Sequence, residues 1–270
     1  MEQENATETS TDQQPIRSAY GSADEQFGDL YLPVGAGPHP VVVFIHGGFW
    51  QAQYDLHYAE PLCLALTARG VAVWNLEYRR VGQPGGGWMR TFEDVALGLA
   101  HLDTLLAPHT LDRQRIAVMG HSAGGQLAFW LAARQRLPAS SPFVFTADIP
   151  LIAAISLAGV LDLRQGWELQ LGDGAISDLL GGSPTAYPER YALASPAQLL
   201  PIGVPQILIH GTADKPVPYV MSERYHERAR AQGDDVRLIV LPDSDHFALT
   251  SPQTWEGRLV LDTACALFDL

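Results

Sequence analysis

The sequence predicts an α/β fold, a mostly parallel sheet covered on both faces by helices. Three observations predict it. From residue 41 onward, short β-branched runs alternate with segments of helical periodicity. The runs are continuously apolar, as strands buried on both faces are. No fixed repeat or heptad run interrupts that rhythm. Buried strands joined through helices make parallel crossovers, which place helices on both faces of one sheet.

The first apolar run is Val41-Val42-Val43-Phe44-Ile45, and Val71-Ala72-Val73-Trp74-Asn75-Leu76 repeats it. Ile116 to Met119, Ile152 to Ile155, Ile207 to Ile209 and Val236 to Leu241 follow as strands. Residues before Val41, especially Gln26 to Leu32, are expected to add antiparallel edge strands. Between the strands, Phe92, Val95, Leu99, Leu102 and Leu106 form one stripe of a helix from Thr91 to Ala107. A Thr91-x-x-Asp94 capping box is expected to open it. A second helix is predicted over Ser122 to Gln135 and a third over Val217 to Gln232, where Gly233 supplies the stop. The last is expected to start at Ser251-Pro252, as N-cap and first helical residue. Residues 162–203, rich in Gly, Pro, Leu and Tyr, break the rhythm and read as a short lid-like insertion over the carboxyl edge of the sheet.

The chain has 270 residues, of which 47% are hydrophobic and 17% charged, enough material for a large core. At about 150 residues per domain the length is ambiguous, but no linker divides it, so residues 17–270 are read as one domain. Residues 1–16 are polar, without the basic and apolar regions of a secretory signal, and read as a disordered tail. The longest nearly apolar stretch, Ile149 to Leu161, is too short for a membrane span. The net charge of −13 opposes nucleic-acid binding. Cys63 and Cys265 are the two cysteines, both in apolar helix-like surroundings, and are read as free thiols in a reducing, cytoplasmic compartment.

Chemistry concentrates at three strand ends. Gly120-His121-Ser122-Ala123-Gly124 lies between a strand and a helix, where a sharp turn exposes a serine hydroxyl at a helix N-terminus. A serine needs a base to become a nucleophile. His246, after the last strand, can reach the same sheet edge. The base needs a carboxylate to fix its tautomer, and Asp214 follows the preceding strand in the same way. Asp243 and Asp245 are nearer to His246 in sequence but need a sharp reversal of their loop to meet the imidazole. The order Ser122, Asp214, His246 is that of the α/β-hydrolase arrangement.

His46-Gly47-Gly48-Phe49-Trp50 follows the first buried strand, and its glycines let backbone amides approach a substrate. The amides of Gly48, Phe49 and Ala123 are the expected oxyanion donors. His46 is read as a structural anchor of that loop. Glu77, Arg79 and Arg80 are read as structural ion pairs, with a substrate-carboxylate site as the alternative. Trp50, Trp88 and Trp167 are candidate pocket residues, with core packing the competing role. Gly82 to Trp88 matches no phosphate-loop spacing, and the sole lysine is Lys215. No metal-ligand spacing occurs, and neither metal nor cofactor is expected.

Together, His46 to Trp50, Gly120 to Gly125, Asp214 and His246 resemble the serine esterases of the α/β-hydrolase superfamily, over residues 39–268. The H-G-G-x-W form is most similar to kynurenine-formamidase-type enzymes and related small-ester carboxylesterases. Phe49 replaces the third glycine usual in the hormone-sensitive-lipase group, and Tyr78-Arg79-Arg80-Val81-Gly82 stands where that group has Tyr-Arg-Leu-Ala-Pro. The resemblance implies a cofactor-independent serine hydrolase that cleaves a small carboxylic ester or aryl formamide through an acyl-enzyme on Ser122. Its partner is a small-molecule substrate, with neither nucleic acid nor membrane. Two rivals stand beside it: a prolyl-oligopeptidase-like peptidase, and a catalytically silent receptor that binds a small ligand in the same pocket.

Overall fold

The computed structural model describes residues 14–143 and 147–270. Most of the predicted polar tail therefore lies outside the described residues. Its expected boundary at residue 16 is corrected, because Ile16 pairs with Leu30 in the first strand.

Eight strands form one sheet: β1 (Ile16–Ala19), β2 (Phe27–Tyr31), β3 (His39–Ile45), β4 (Ala72–Leu76), β5 (Leu111–His121), β6 (Ala153–Leu157), β7 (Gln206–Gly211) and β8 (Val236–Leu241). Their spatial order is β1, β2, β4, β3, β5, β6, β7, β8. The first two are antiparallel, and every pairing from β4 through β8 is parallel. The carboxyl ends of β3 to β8 consequently open on one edge.

The helices are α1 (Glu60–Thr67), α2 (Arg90–Leu106), α3 (Ala123–Ala132), α4 (Leu163–Glu168), α5 (Ala175–Leu180), α6 (Pro188–Ala194), α7 (Val220–Ala231) and α8 (Trp255–Ala266). The two-residue period of β3 sorts its side chains between two cores. Val41, Val43 and Ile45 pack in the cluster that contains residues of α2, α3 and α7. Val42 and Phe44 join the opposite cluster with Leu62 of α1 and Val260 of α8. Burial on both sides is why these strands carry no polar alternation. Cys63 and Cys265 are buried free thiols in this second cluster.

Two helix starts differ from expectation. Thr91 does not cap α2: its hydroxyl donates to the Arg79 carbonyl at 2.6 Å and accepts from the Gly87 amide at 3.1 Å. Asp94, its expected box partner, is held by Arg79 at 2.6 and 2.7 Å. A buried ion pair thus captures the carboxylate that a capping box requires. At the other end, Thr254 rather than Ser251 caps α8, its hydroxyl accepting from the Gly257 amide at 2.9 Å. The insertion at 162–203 contains α4, α5 and α6 with short 3₁₀ turns. Gly172, between α4 and α5, packs so closely over the loop after β3 that a Cβ there would lie 2.7 Å from the Phe49 ring. Among the described residues, no helix is long and apolar enough to cross a membrane.

Candidate active site

The turn from β5 into α3 holds Ser122 at φ 56° and ψ −122°, a backbone region that L residues rarely occupy. Such a conformation costs on the order of 1–3 kcal/mol and persists only where neighbours enforce it. Close packing enforces it here. A Cβ on Gly120 would lie 2.1 Å from the Gly124 carbonyl oxygen, and one on Gly124 would lie 2.0 Å from that of Ile45. The Ser122 amide donates to Leu157 of β6 at 2.8 Å, which pins the turn to the sheet. Ala123 is the first residue of α3, so its amide has no partner one turn back within the helix.

Asp214 follows β7 and His246 follows β8, and the adjacency of these two strands brings their loops together. Nδ1 of His246 lies 2.6 Å from Oδ2 of Asp214. The other carboxylate oxygen accepts the Val217 amide at 2.8 Å. Burial alone would raise the Asp214 carboxyl, but hydrogen bonds from His210 and His246, with that amide, hold it down at about 2. It is therefore a carboxylate at neutral pH. Asp245 does not compete for the imidazole, because its Oδ1 accepts the Phe247 and Ala248 amides at 2.9 Å.

The loop after β3 closes the other side of Ser122. A Cβ on Gly47 would stand 2.9 Å from that of Ser122, so the loop backbone passes directly over the serine. Gly48, Phe49 and Trp50 all have positive φ, at 104°, 50° and 56°. Among the described residues, neither the Gly48 nor the Phe49 amide has a protein acceptor. His46 anchors the loop, with Nδ1 at 2.8 Å from the Gly47 carbonyl and Nε2 at 2.8 Å from Oε1 of Glu77. Tyr78 stacks on this imidazole at 4.4 Å and donates to the His46 carbonyl at 2.9 Å. Burial would raise Glu77, but His46 and then Arg80 hold its carboxyl below the usual range. Glu77, Arg79 and Arg80 are thus engaged in internal ion pairs.

The three tryptophans have separate fates. Trp50 is fully buried, and its indole donates to Oε1 of Gln126 at 3.0 Å, so its expected place in the pocket is corrected to the core. Trp88 packs edge-on against Phe92 and Phe143 at 5.6 Å, with Arg190 over its ring, in an aromatic cluster under the insertion. Trp167 is 37% exposed and lines a concavity of about 710 Å³ with Leu171, Asp173, Ile176 and Ser177.

Four groups around the site went unassigned from sequence. Nε2 of His210 lies 3.2 Å from Oδ2 of Asp214, and its Nδ1 lies 2.7 Å from the Ser222 hydroxyl. Tyr58 and His121 lie between the loop after β3 and His246. Phe247 is 64% exposed, edge-on to the His246 ring at 5.2 Å. His121 and His210 stand inside the quoted motifs, but nothing in their spacing tells which way the rings turn. Among the described residues, no cluster of His, Cys, Asp and Glu is arranged to hold a metal ion.

A probable isoprenylcysteine alpha-carbonyl methylesterase of Arabidopsis thaliana is 28% identical over 255 residues, covering 89% of this chain and 52% of that protein. Esterase LipC of Mycobacterium tuberculosis (strain ATCC 25618 / H37Rv) is 28% identical over 243 residues, covering 85% of this chain and 59% of its own length. The chain thus spans little more than half the length of these curated relatives. The structure of esterase B from Lactobacillus rhamnosis superposes with a TM-score of 0.79 at 22% identity, covering 95% of this chain and 87% of that one. It shares the α/β-hydrolase fold. The BD-FAE family model matches residues 29–228, and the chain belongs to that family.

Proposed function

We propose that this protein is a serine esterase that cleaves small carboxylic esters, with Ser122 as nucleophile, His246 as general base and Asp214 as its orienting carboxylate. The observation that carries this reading is the 2.6 Å contact between Nδ1 of His246 and Oδ2 of Asp214, at the sheet edge where Ser122 is held in a strained turn. The relatives named as esterases support the same class.

The Ser122 hydroxyl attacks the ester carbonyl carbon as His246 removes its proton through Nε2. Asp214, ionised and bonded to Nδ1, stabilises the imidazolium that results. The carbonyl oxygen becomes an oxyanion facing the amides of Gly48, Phe49 and Ala123, and each such donor is typically worth ~10²–10³ in kcat. Collapse of the tetrahedral intermediate expels the alcohol, which takes the proton from His246. Water then attacks the acyl carbon as His246 takes its proton, and collapse of the second tetrahedral intermediate releases the acid while Ser122 recovers the proton from His246. An aryl formamide reacts by the same steps with an amine as leaving group.

The test is covalent. A fluorophosphonate probe should label the wild-type protein and leave Ser122→Ala unlabelled, and p-nitrophenyl acetate hydrolysis should vanish in the same variant. An unlabelled, inactive wild-type protein would instead favour a silent receptor. Rates on short aryl esters, N-formylkynurenine and aminoacyl-proline anilides would separate esterase, formamidase and peptidase.

A further inference from the structure

We propose that Tyr58 and His121 are positioning residues that tie the loop over Ser122 to the loop that carries His246, through one unbroken chain of hydrogen bonds. This rests on the esterase reading above, since it assigns the chain a part in that reaction.

The contacts run across three segments distant in sequence. The Gly47 amide lies 2.6 Å from the Tyr58 hydroxyl, which lies 3.0 Å from Nδ1 of His121. Nε2 of His121 lies 3.0 Å from the backbone carbonyl of His246. The protons along this chain have one consistent order. A carbonyl oxygen only accepts, so Nε2 of His121 carries its proton and donates to His246. The Tyr58 oxygen accepts from the Gly47 amide, and its own hydrogen goes to the bare Nδ1. This order belongs to a neutral imidazole. Burial, followed by the neighbouring His246, favours the same state and pushes His121 down to about 3.

Geometry limits what else these groups can do. The Tyr58 ring is edge-on to both His46 and His121, at 6.5 and 5.8 Å, and so sits between the loop after β3 and the end of β5. The His121 ring lies 4.5 Å from that of His246. Gly47 begins the stretch whose next two amides face the oxyanion, so its amide sets their height above Ser122. The His246 carbonyl belongs to the base itself. A displacement at either end moves a reacting group, and a misplacement of about 1 Å can cost on the order of 10²-fold in rate.

The experiment compares the full-length wild-type chain with Tyr58→Phe, His121→Gln and the double variant, using p-nitrophenyl acetate. Tyr58→Phe keeps the ring and removes only the hydroxyl. His121→Gln keeps a donor near the Nε2 position. The proposal expects kcat to fall about tenfold to a hundredfold in Tyr58→Phe, KM to change less than about twofold, and the circular dichroism spectrum to be unchanged. It also expects the double variant to lose less than the product of the two single losses, because both cut one chain. An unchanged kcat in Tyr58→Phe overturns it, as do losses that multiply or a change carried by KM. Should Ser122→Ala retain wild-type activity, the esterase assignment itself fails, a result separable from any of these.

Discussion

Oδ2 of Asp214 lies 2.6 Å from Nδ1 of His246 and 3.2 Å from Nε2 of His210, so one carboxylate oxygen faces two buried imidazoles. His210 has its own second anchor, donating from Nε2 to the Val217 carbonyl at 2.8 Å. The carboxylate is thereby fixed in plane and direction before any substrate arrives, and its position does not depend on His246 alone.

Replacing that carboxylate with an amide, Asp214→Asn, should keep the shape of the loop and lose the charge and the tautomer. In triad enzymes this exchange costs ~10⁴ in kcat, and a loss of that order is expected here with little change in KM. Asp245→Asn keeps an acceptor for the Phe247 and Ala248 amides and should stay near wild type. Steady-state kinetics on both variants check the assignment. A greater loss from Asp245→Asn than from Asp214→Asn would contradict it.

Gly47→Ala should remove activity without unfolding the protein. The added methyl carbon would lie 2.9 Å from the Ser122 Cβ, 2.8 Å from the His121 carbonyl oxygen and 3.1 Å from the Tyr58 hydroxyl. Two of these neighbours belong to the strained turn and cannot retreat, so the loop must lift. Lifting would carry the Gly48 and Phe49 amides away from the proposed oxyanion position, which predicts a kcat loss of at least ~10². Labelling by a fluorophosphonate should slow in parallel. A wild-type rate would show that this loop does not serve the reaction.

Chain order made much of the candidate site legible. Apolar runs locate strands, a parallel sheet sends their ends to one edge, and Ser122, Asp214 and His246 stand in the loops that follow those ends, the first directly after β5 and the others a few residues beyond β7 and β8. Directions of side chains were not legible. Trp50 shares a loop with Gly48, yet its indole is buried in the core on Gln126, 76 residues later. Thr91 and Asp94 have the spacing of a capping box, but Arg79 competes for the carboxylate from another segment. Tyr58 meets His121 across 63 residues, and His121 meets His246 across 125. Such pairings depend on the order of strands in space, which local periodicity does not encode.

Phe247 should govern preference among substrates. Its phenyl ring is 64% exposed and stands edge-on to the His246 ring at 5.2 Å, so it offers an open apolar face beside the proposed base. An aryl group on the substrate can pack against it, a contact worth about 0.5–1.5 kcal/mol. Phe247→Ala is therefore expected to lower kcat/KM for phenyl and p-nitrophenyl esters by about twofold to tenfold. Methyl and ethyl esters of the same acid should be much less affected. Equal losses on both series would show that the ring supports the histidine loop rather than the substrate.

Stability should fall in mild acid, and His121 supplies one identified reason. Its folded value of about 3 lies below the ordinary 6.5, because burial and then His246 oppose a charge there. The unfolded chain therefore binds this proton more readily than the folded one between those two values. Its contribution is complete above about pH 6.5 and is lost progressively as pH falls toward 3, at up to about 1.4 kcal/mol per pH unit. Asp214, held near 2 from an ordinary 3.8, acts in the same direction in a lower window, with its contribution lost as pH falls from about 4 toward 2. Thermal melting of the wild-type protein should show a decline in Tm that begins between pH 6 and 7. In His121→Gln, which cannot titrate at this position, the decline over pH 6.5 to 4.5 should be shallower. Parallel profiles for the two proteins would mean that His121 is not held neutral by the fold.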